Sequence, residues 1–252
     1  MNPENWTAVW HLFTVGLPTP ILLRLDPRLL SSPVHTTTDA SRVPAVSGLD
    51  FTALIARLKL DDDERFNFIT QALREVVPSF ERIGIATVNN ATTSDPNDFD
   101  SSSVNAGPSY VLNFDFANAK GVAASAAGDG TLLTLGILAS LATVKGPRLL
   151  LLDEIERGLH PRALGQLVKQ LRGLQVADPT LQIVATSHSP YLVDHFSAEE
   201  VILTDTAPDG SRAAPLSSHP DWAQWKDEMA PGEFWTSVGE DWIKQLPPAV
   251  PK

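Results

Sequence analysis

Between residues 61 and 77 the apolar positions Phe66, Ile69, Leu73, Val76 and Val77 recur at spacings of three and four, which places them on one face of an amphipathic helix. Asp61, Asp62 and Asp63 stand at its start, where carboxylates suit the positive end of the helix dipole, and Pro78 ends it. Two strands follow, at 83–88 and 110–116; the second alternates Val111, Asn113 and Asp115 with Leu112, Phe114 and Phe116. The stretch 89–108 between them, rich in Ser, Thr, Asn and Asp, reads as a surface loop. Residues 1–60 carry short apolar pieces such as Ile21-Leu22-Leu23, broken by Pro18, Pro20, Pro27, Pro33 and Pro44, so extended segments and turns are expected there rather than long helices. His35 with Thr36, Thr37 and Thr38 reads as part of a loop.

From Gly121 onward the pattern becomes regular. A strongly apolar helix is predicted at 131–141, a short apolar strand at 148–152, and an amphipathic helix at 161–174 with Leu164, Leu167, Val168 and Leu171 on one face and Pro161 in its first turn. Apolar strands follow at 181–185 and 201–204. Strands without polar alternation, separated by helices, predict a buried parallel sheet covered on both sides, hence an α/β fold. The tail from Trp222 to Trp242 holds four of the six tryptophans and is expected to form a helical cap on the flank of the sheet. The expected domains are an N-terminal α+β segment at 1–120, a core at 121–210 and the Trp-rich cap at 211–252.

Composition narrows the picture. A chain of 252 residues with 43% hydrophobic content supports one sizeable core with an appendage. The formal net charge of −11 argues against a broad nucleic-acid-binding face, leaving any DNA contact to a local patch or another chain. Without cysteine there is no disulfide and no thiolate metal site. No apolar run approaches the roughly 18–20 residues a spanning helix needs, and no basic segment followed by an apolar one opens the chain; a cytoplasmic protein without a membrane partner is expected.

Three segments carry candidate chemistry. Leu149-Leu150-Leu151-Leu152 runs into Asp153-Glu154, delivering two carboxylates to the carboxyl edge of a parallel sheet, where such folds bind ligands. One carboxylate suits Mg²⁺ beside phosphate oxygens; the other suits orienting an attacking water. Ile183-Val184-Ala185 ends in Thr186-Ser187-His188-Ser189-Pro190, and a histidine there could meet a γ-phosphate or the attacking water. Gly128-Asp129-Gly130-Thr131 opens the apolar helix with an anion-binding geometry; read plainly, it is a glycine turn with Thr131 as N-cap.

Taken in this order, the segments resemble the AAA-type, ABC-like ATPases related to SMC and overcoming-lysogenization-defect proteins. Gly128 to Thr131 looks like the signature, Leu149 to Glu154 like the Walker B strand, Gly158-Leu159-His160-Pro161 like the D-loop, and Thr186 to Pro190 like the switch-histidine segment. The resemblance implies a three-layer P-loop-NTPase-type sheet and two heads packed head-to-tail as a homodimer around ATP and Mg²⁺. Asp153 would then position Mg²⁺, Glu154 would be the general base and His188 would sense the γ-phosphate. Gly128, Asp129, Gly130 and Thr131 would touch the nucleotide of the opposite head, and Gly158, Leu159 and His160 would cross the interface. Relatives work beside nucleases in phage defence or DNA repair, so a nuclease or DNA-associated partner is implied.

Two departures qualify the resemblance. No glycine in the chain is followed by lysine, so the phosphate-binding loop Gly-x-x-x-x-Gly-Lys-Ser/Thr is absent. The chain is therefore expected to be the C-terminal part of a head that needs a loop-bearing segment, and to bind ATP weakly or not at all alone. Gly128 also stands where the signature usually has Ser. The alternative function is a non-catalytic interaction module with a degenerate ATPase fold. A metal-dependent hydrolase using Asp153, Glu154, His160 and His188 is the third reading.

Overall fold

The computed structural model describes residues 19–35, 48, 50–88, 109–143, 148–207 and 210–246. The loop read at 89–108 and the threonines at 36–38 lie outside them. In chain order the elements are β1 (Thr19–Leu23), α1 (Pro27–Leu30), β2 (Val34–His35), α2 (Phe51–Asp61), α3 (Asp63–Val76), β3 (Phe80–Val88), β4 (Ser109–Phe116), β5 (Ala119–Ala123), α4 (Asp129–Thr143), β6 (Arg148–Leu152), α5 (Pro161–Ala177), β7 (Leu181–Ala185), α6 (Pro190–Val193), β8 (Ile202–Ala207), β9 (Gly210–Pro215), α7 (Trp222–Trp225) and α8 (Pro231–Val238). They form two compact units, one made of 1–158 with 169–186, the other of 159–168 with 187–252.

The first unit contains a parallel sheet in the order β1-β6-β7. Its rows run Ile21–Leu150–Ile183 and Leu23–Leu152–Ala185 on one face, and Pro20–Leu149–Gln182 and Leu22–Leu151–Val184 on the other. On the first face Leu23, Leu150 and Leu152 are buried. On the second, Leu22 is 45% and Val184 56% exposed. The third strand of this sheet is β1, not the segment expected at 201–204. That segment pairs antiparallel with β9 in the second unit. Short apolar runs look alike whether they enter a sheet's interior or a hairpin, so the pattern alone could not assign the partner.

Beside this sheet lies an antiparallel one in which β4 pairs with β2, β3 and β5. Phe80, Phe114 and Phe116 meet edge-to-face at centroid separations of 6.1–6.3 Å. The alternation expected along β4 holds at Leu112 and Phe114 and fails at Asp115, which is buried. Its carboxylate accepts Gly121 N–H and Arg82 Nε, each at 2.8 Å, so the buried charge is paired.

Helix α3 matches its periodicity, burying Phe66, Ile69, Leu73 and Val76. Of the acidic triplet, Asp62 is the N-cap, accepting Arg65 N–H, and Asp63 lies in the first turn. Asp61 closes α2, an eleven-residue helix where only turns and extended chain were expected. The prolines that suggested breaks all precede it, so nothing from Phe51 to Asp61 opposes a helix. Helix α4 is buried all round from Thr131 to Leu141, consistent with its mostly apolar sequence, in which Thr134 and Ser140 are the small polar exceptions after Thr131. It packs close to the end of β1: a Cβ on Gly136 would lie 2.8 Å from Leu25 Cδ1.

The second unit has its own core of Val193, Ala198, Leu203, Leu216, Phe234 and Ile243. Trp222, Trp235 and Trp242, from the tail expected to cap the sheet's flank, pack against this core. His219 sits edge-on to both Phe234 and Trp242 at 5.1 and 5.2 Å. Helices α6 and α8 meet closely: Gly232 N–H donates to Asp194 Oδ1 at 2.7 Å, and a Cβ on Gly232 would lie 2.0 Å from Pro190 O.

Candidate functional site

The three parallel strands end in register at Leu23, Leu152 and Ala185, so the next residues, Arg24, Asp153 and Thr186, form one more row at the carboxyl rim. Asp153 N–H donates to Leu23 O at 3.3 Å and Thr186 N–H to Leu152 O at 2.9 Å, extending the ladder by one step on each side. The side chains follow. Arg24 Nε donates to Asp153 Oδ2 at 2.9 Å, and Thr186 Oγ1 donates to Asp153 Oδ1 at 2.8 Å. Both carboxylate oxygens are engaged from opposite neighbours. The Thr186 hydroxyl, and after it the Arg24 guanidinium, hold the Asp153 carboxyl below the usual carboxylate range, against an opposing effect of partial burial.

Glu154 leaves the strand with φ 51°, in the left-handed region that a non-glycine residue enters at a cost. Its N–H donates to Thr186 Oγ1 at 2.9 Å, and Ile155 N–H donates to Thr186 O at 3.2 Å. The turn exposes the Glu154 side chain and buries Ile155 beneath it. Beside this row is a cavity of about 130 Å³, with Arg24, Asp153, Glu154 and Arg157 among its lining and Leu25, Leu133 and Ile137 as apolar wall.

The candidate signature lies at the start of α4. Gly128 and Asp129 are exposed, Gly130 is half-buried and Thr131 is buried. Thr131 is not an N-cap: the helix begins at Asp129, and the Gly128 carbonyl accepts Thr131 N–H at 3.0 Å. Gly158 has φ 69° and lies against this turn, where a Cβ would be 3.1 Å from Gly130 N and 3.2 Å from Asp129 Cβ. The first unit thus gathers Asp153 with Glu154, and Gly158 with Asp129 and Gly130. Leu159, His160 and His188 belong to the second unit. There His160 Nδ1 accepts Arg162 N–H at 3.2 Å, His188 is exposed, and Ser189 caps α6 by accepting Leu192 N–H at 3.3 Å. Among the described residues no three His, Asp or Glu side chains gather as a metal-binding group.

Two neighbours of the carboxylates were given no role of their own from the sequence. Arg24 carried a signal, a lone charge inside the apolar run from Ile21 to Leu25. Thr186 entered only as the first residue of the switch-histidine segment.

The family profile described as "AAA domain, putative AbiEii toxin, Type IV TA system" matches residues 35–194. No curated protein matches the sequence. A structure from work on ATP-driven dimerization and DNA-stimulated activation of SMC ATPases overlays at 10% identity and a TM-score of 0.45, covering 69% of this chain and 96% of that one. An SMC head bound to the C-winged helix domain of ScpA overlays at 11% identity and 0.45; this chain covers 55% of its length and 70% of its own.

Proposed function

Because this chain belongs to the AAA-domain family described by the AbiEii toxin and type IV toxin–antitoxin system, we propose that it is the signature- and Walker B-bearing part of an ATPase head that binds and hydrolyses Mg-ATP once a phosphate-loop segment is supplied. The observation that carries this reading is the rim of the parallel sheet. There Asp153 and Glu154 emerge side by side, one clamped and one presented to solvent.

Asp153 offers carboxylate oxygens of the kind a hard cation takes; Arg24 and Thr186 hold both of them, so a cation there would displace the Arg24 guanidinium. Bound there, Mg²⁺ would neutralise charge developing on transferred phosphate. In this reading Asp153 holds the cation, and the exposed Glu154 carboxylate orients the attacking water and takes its proton. Gly128, Asp129 and Gly130 offer backbone to the nucleotide of an opposing copy, with Thr131 buried behind them. Gly158, Leu159 and His160 face that copy, and His188 reads the γ-phosphate. The apolar row of Leu22, Leu151 and Val184, exposed at both ends, supports a place for the loop-bearing segment on that face of the sheet. By the resemblance of its motifs, the process powered would be phage defence or DNA handling, beside a nuclease or DNA-associated partner.

Calorimetric titration with Mg-ATP tests the reading. The chain alone is expected to show no micromolar binding, and micromolar binding overturns the requirement for the loop. Joined to a loop-bearing segment, it is expected to hydrolyse ATP, and Glu154→Gln is expected to slow hydrolysis by about 100- to 10,000-fold. The same open face favours a second reading, a non-catalytic interaction module; stable assembly with the segment and no hydrolysis would select it.

A further inference from the structure

We propose that Thr186 is a positioning residue that ties the Asp153 carboxylate to the Glu154 backbone, fixing the direction of the one and the left-handed turn of the other through one hydroxyl. The inference deepens the ATPase reading and rests on it for its functional meaning, though not for its geometry. Thr186 makes four hydrogen bonds at the rim. Its N–H donates to Leu152 O at 2.9 Å and its carbonyl accepts Ile155 N–H at 3.2 Å, which brackets the Asp153-Glu154 pair by backbone. Its hydroxyl accepts Glu154 N–H at 2.9 Å and donates its proton to Asp153 Oδ1 at 2.8 Å. A hydroxyl is the smallest group that can do both, since it carries one donor and acceptor lone pairs on the same atom. Valine has the same shape and neither function; serine has both.

The surroundings show that these bonds serve the site rather than the core. Thr186 is exposed, so its side chain adds little to packing. Glu154 is one of only two non-glycine residues with positive φ among those described, and its amide is the one Thr186 receives. A strained turn persists only where neighbours hold it. Arg24 completes the arrangement from the other side. With Oδ1 on Thr186 and Oδ2 on Arg24, the Asp153 carboxylate is fixed in plane across three strands.

The test compares Thr186→Val with Thr186→Ser in the full chain, read by residue-resolved amide exchange. The Val variant is expected to exchange the Glu154 amide at least about fivefold faster, as the loss of one hydrogen bond implies. The amides of β1, β6 and β7 should stay within twofold, and the Ser variant should behave as the wild type. An unchanged Glu154 amide in the Val variant overturns the proposal. So does a Ser variant as fast as the Val variant, or a general rise through all three strands, which would make Thr186 a folding residue. A second arm adds Mn²⁺ and follows paramagnetic broadening at residues 153 and 154. The wild type is expected to show broadening centred on both, and the Val variant to lose it at Glu154 first. No broadening in the wild type counts against the ATPase reading and leaves the exchange result standing.

Discussion

Gly158 and Glu154 occupy the same region of backbone space for different reasons. Gly158, at φ 69°, lies on the Asp129–Gly130 backbone with no room to spare; the turn needs both the conformation and the missing Cβ. Gly158→Ala is therefore expected to destabilise the first unit by about 1–2 kcal/mol in urea melts. Glu154 tolerates φ 51° because Thr186 receives its amide. Asp115 illustrates a paired buried charge whose contribution depends on pH. Gly121 N–H, and after it Arg82, lower its pKa in the folded state. A group depressed in this way stabilises above its unfolded pKa of about 3.9 and loses that contribution as pH falls through the lower folded value. In a pH series of urea melts, the difference between wild type and Asp115→Asn is expected to be complete at neutral pH and to shrink once pH falls below about 4.

The parallel sheet has two unequal faces, and substitutions should report them. Leu150 is 1% exposed between Ile21 and Ile183, and Leu150→Ala is expected to cost about 2–5 kcal/mol by melting. Val184, 56% exposed on the opposite face, should cost less than about 0.5 kcal/mol when cut to Ala in the chain alone. If that face receives the loop-bearing segment, the same Val184→Ala change should weaken assembly measurably, a contrast a pull-down with the segment would read. Elements with long patterned sequences were legible beforehand: α3 with its acidic start, the strongly apolar α4, and α5 opening at Pro161. Helix α2 was hidden because the prolines upstream dominated the reading, and β8 was assigned to the wrong sheet because three apolar residues and a threonine carry no information about their partner.

Across the whole molecule, two units each carry their own core. Phe234, 1% exposed in the second, is the test of that independence: Phe234→Ala is expected to cost about 3–5 kcal/mol and to speed amide exchange at Val193, Leu203, Leu216 and Ile243.

The sequence by itself determined the class of fold, the strand that runs into Asp153 and Glu154, and that no glycine is followed by lysine, because all of these are written in short runs of neighbouring residues. Only the tertiary structure decided that β1 lies beside β6, bringing Arg24 onto Asp153 across 129 residues of chain, and that one hydroxyl beyond β7's end joins the Asp153 carboxylate to the Glu154 amide. Pairing in a parallel sheet joins segments far apart in the chain, and which strand neighbours which depends on every helix packed around them. That information is spread over the whole sequence and becomes readable only when the chain has folded.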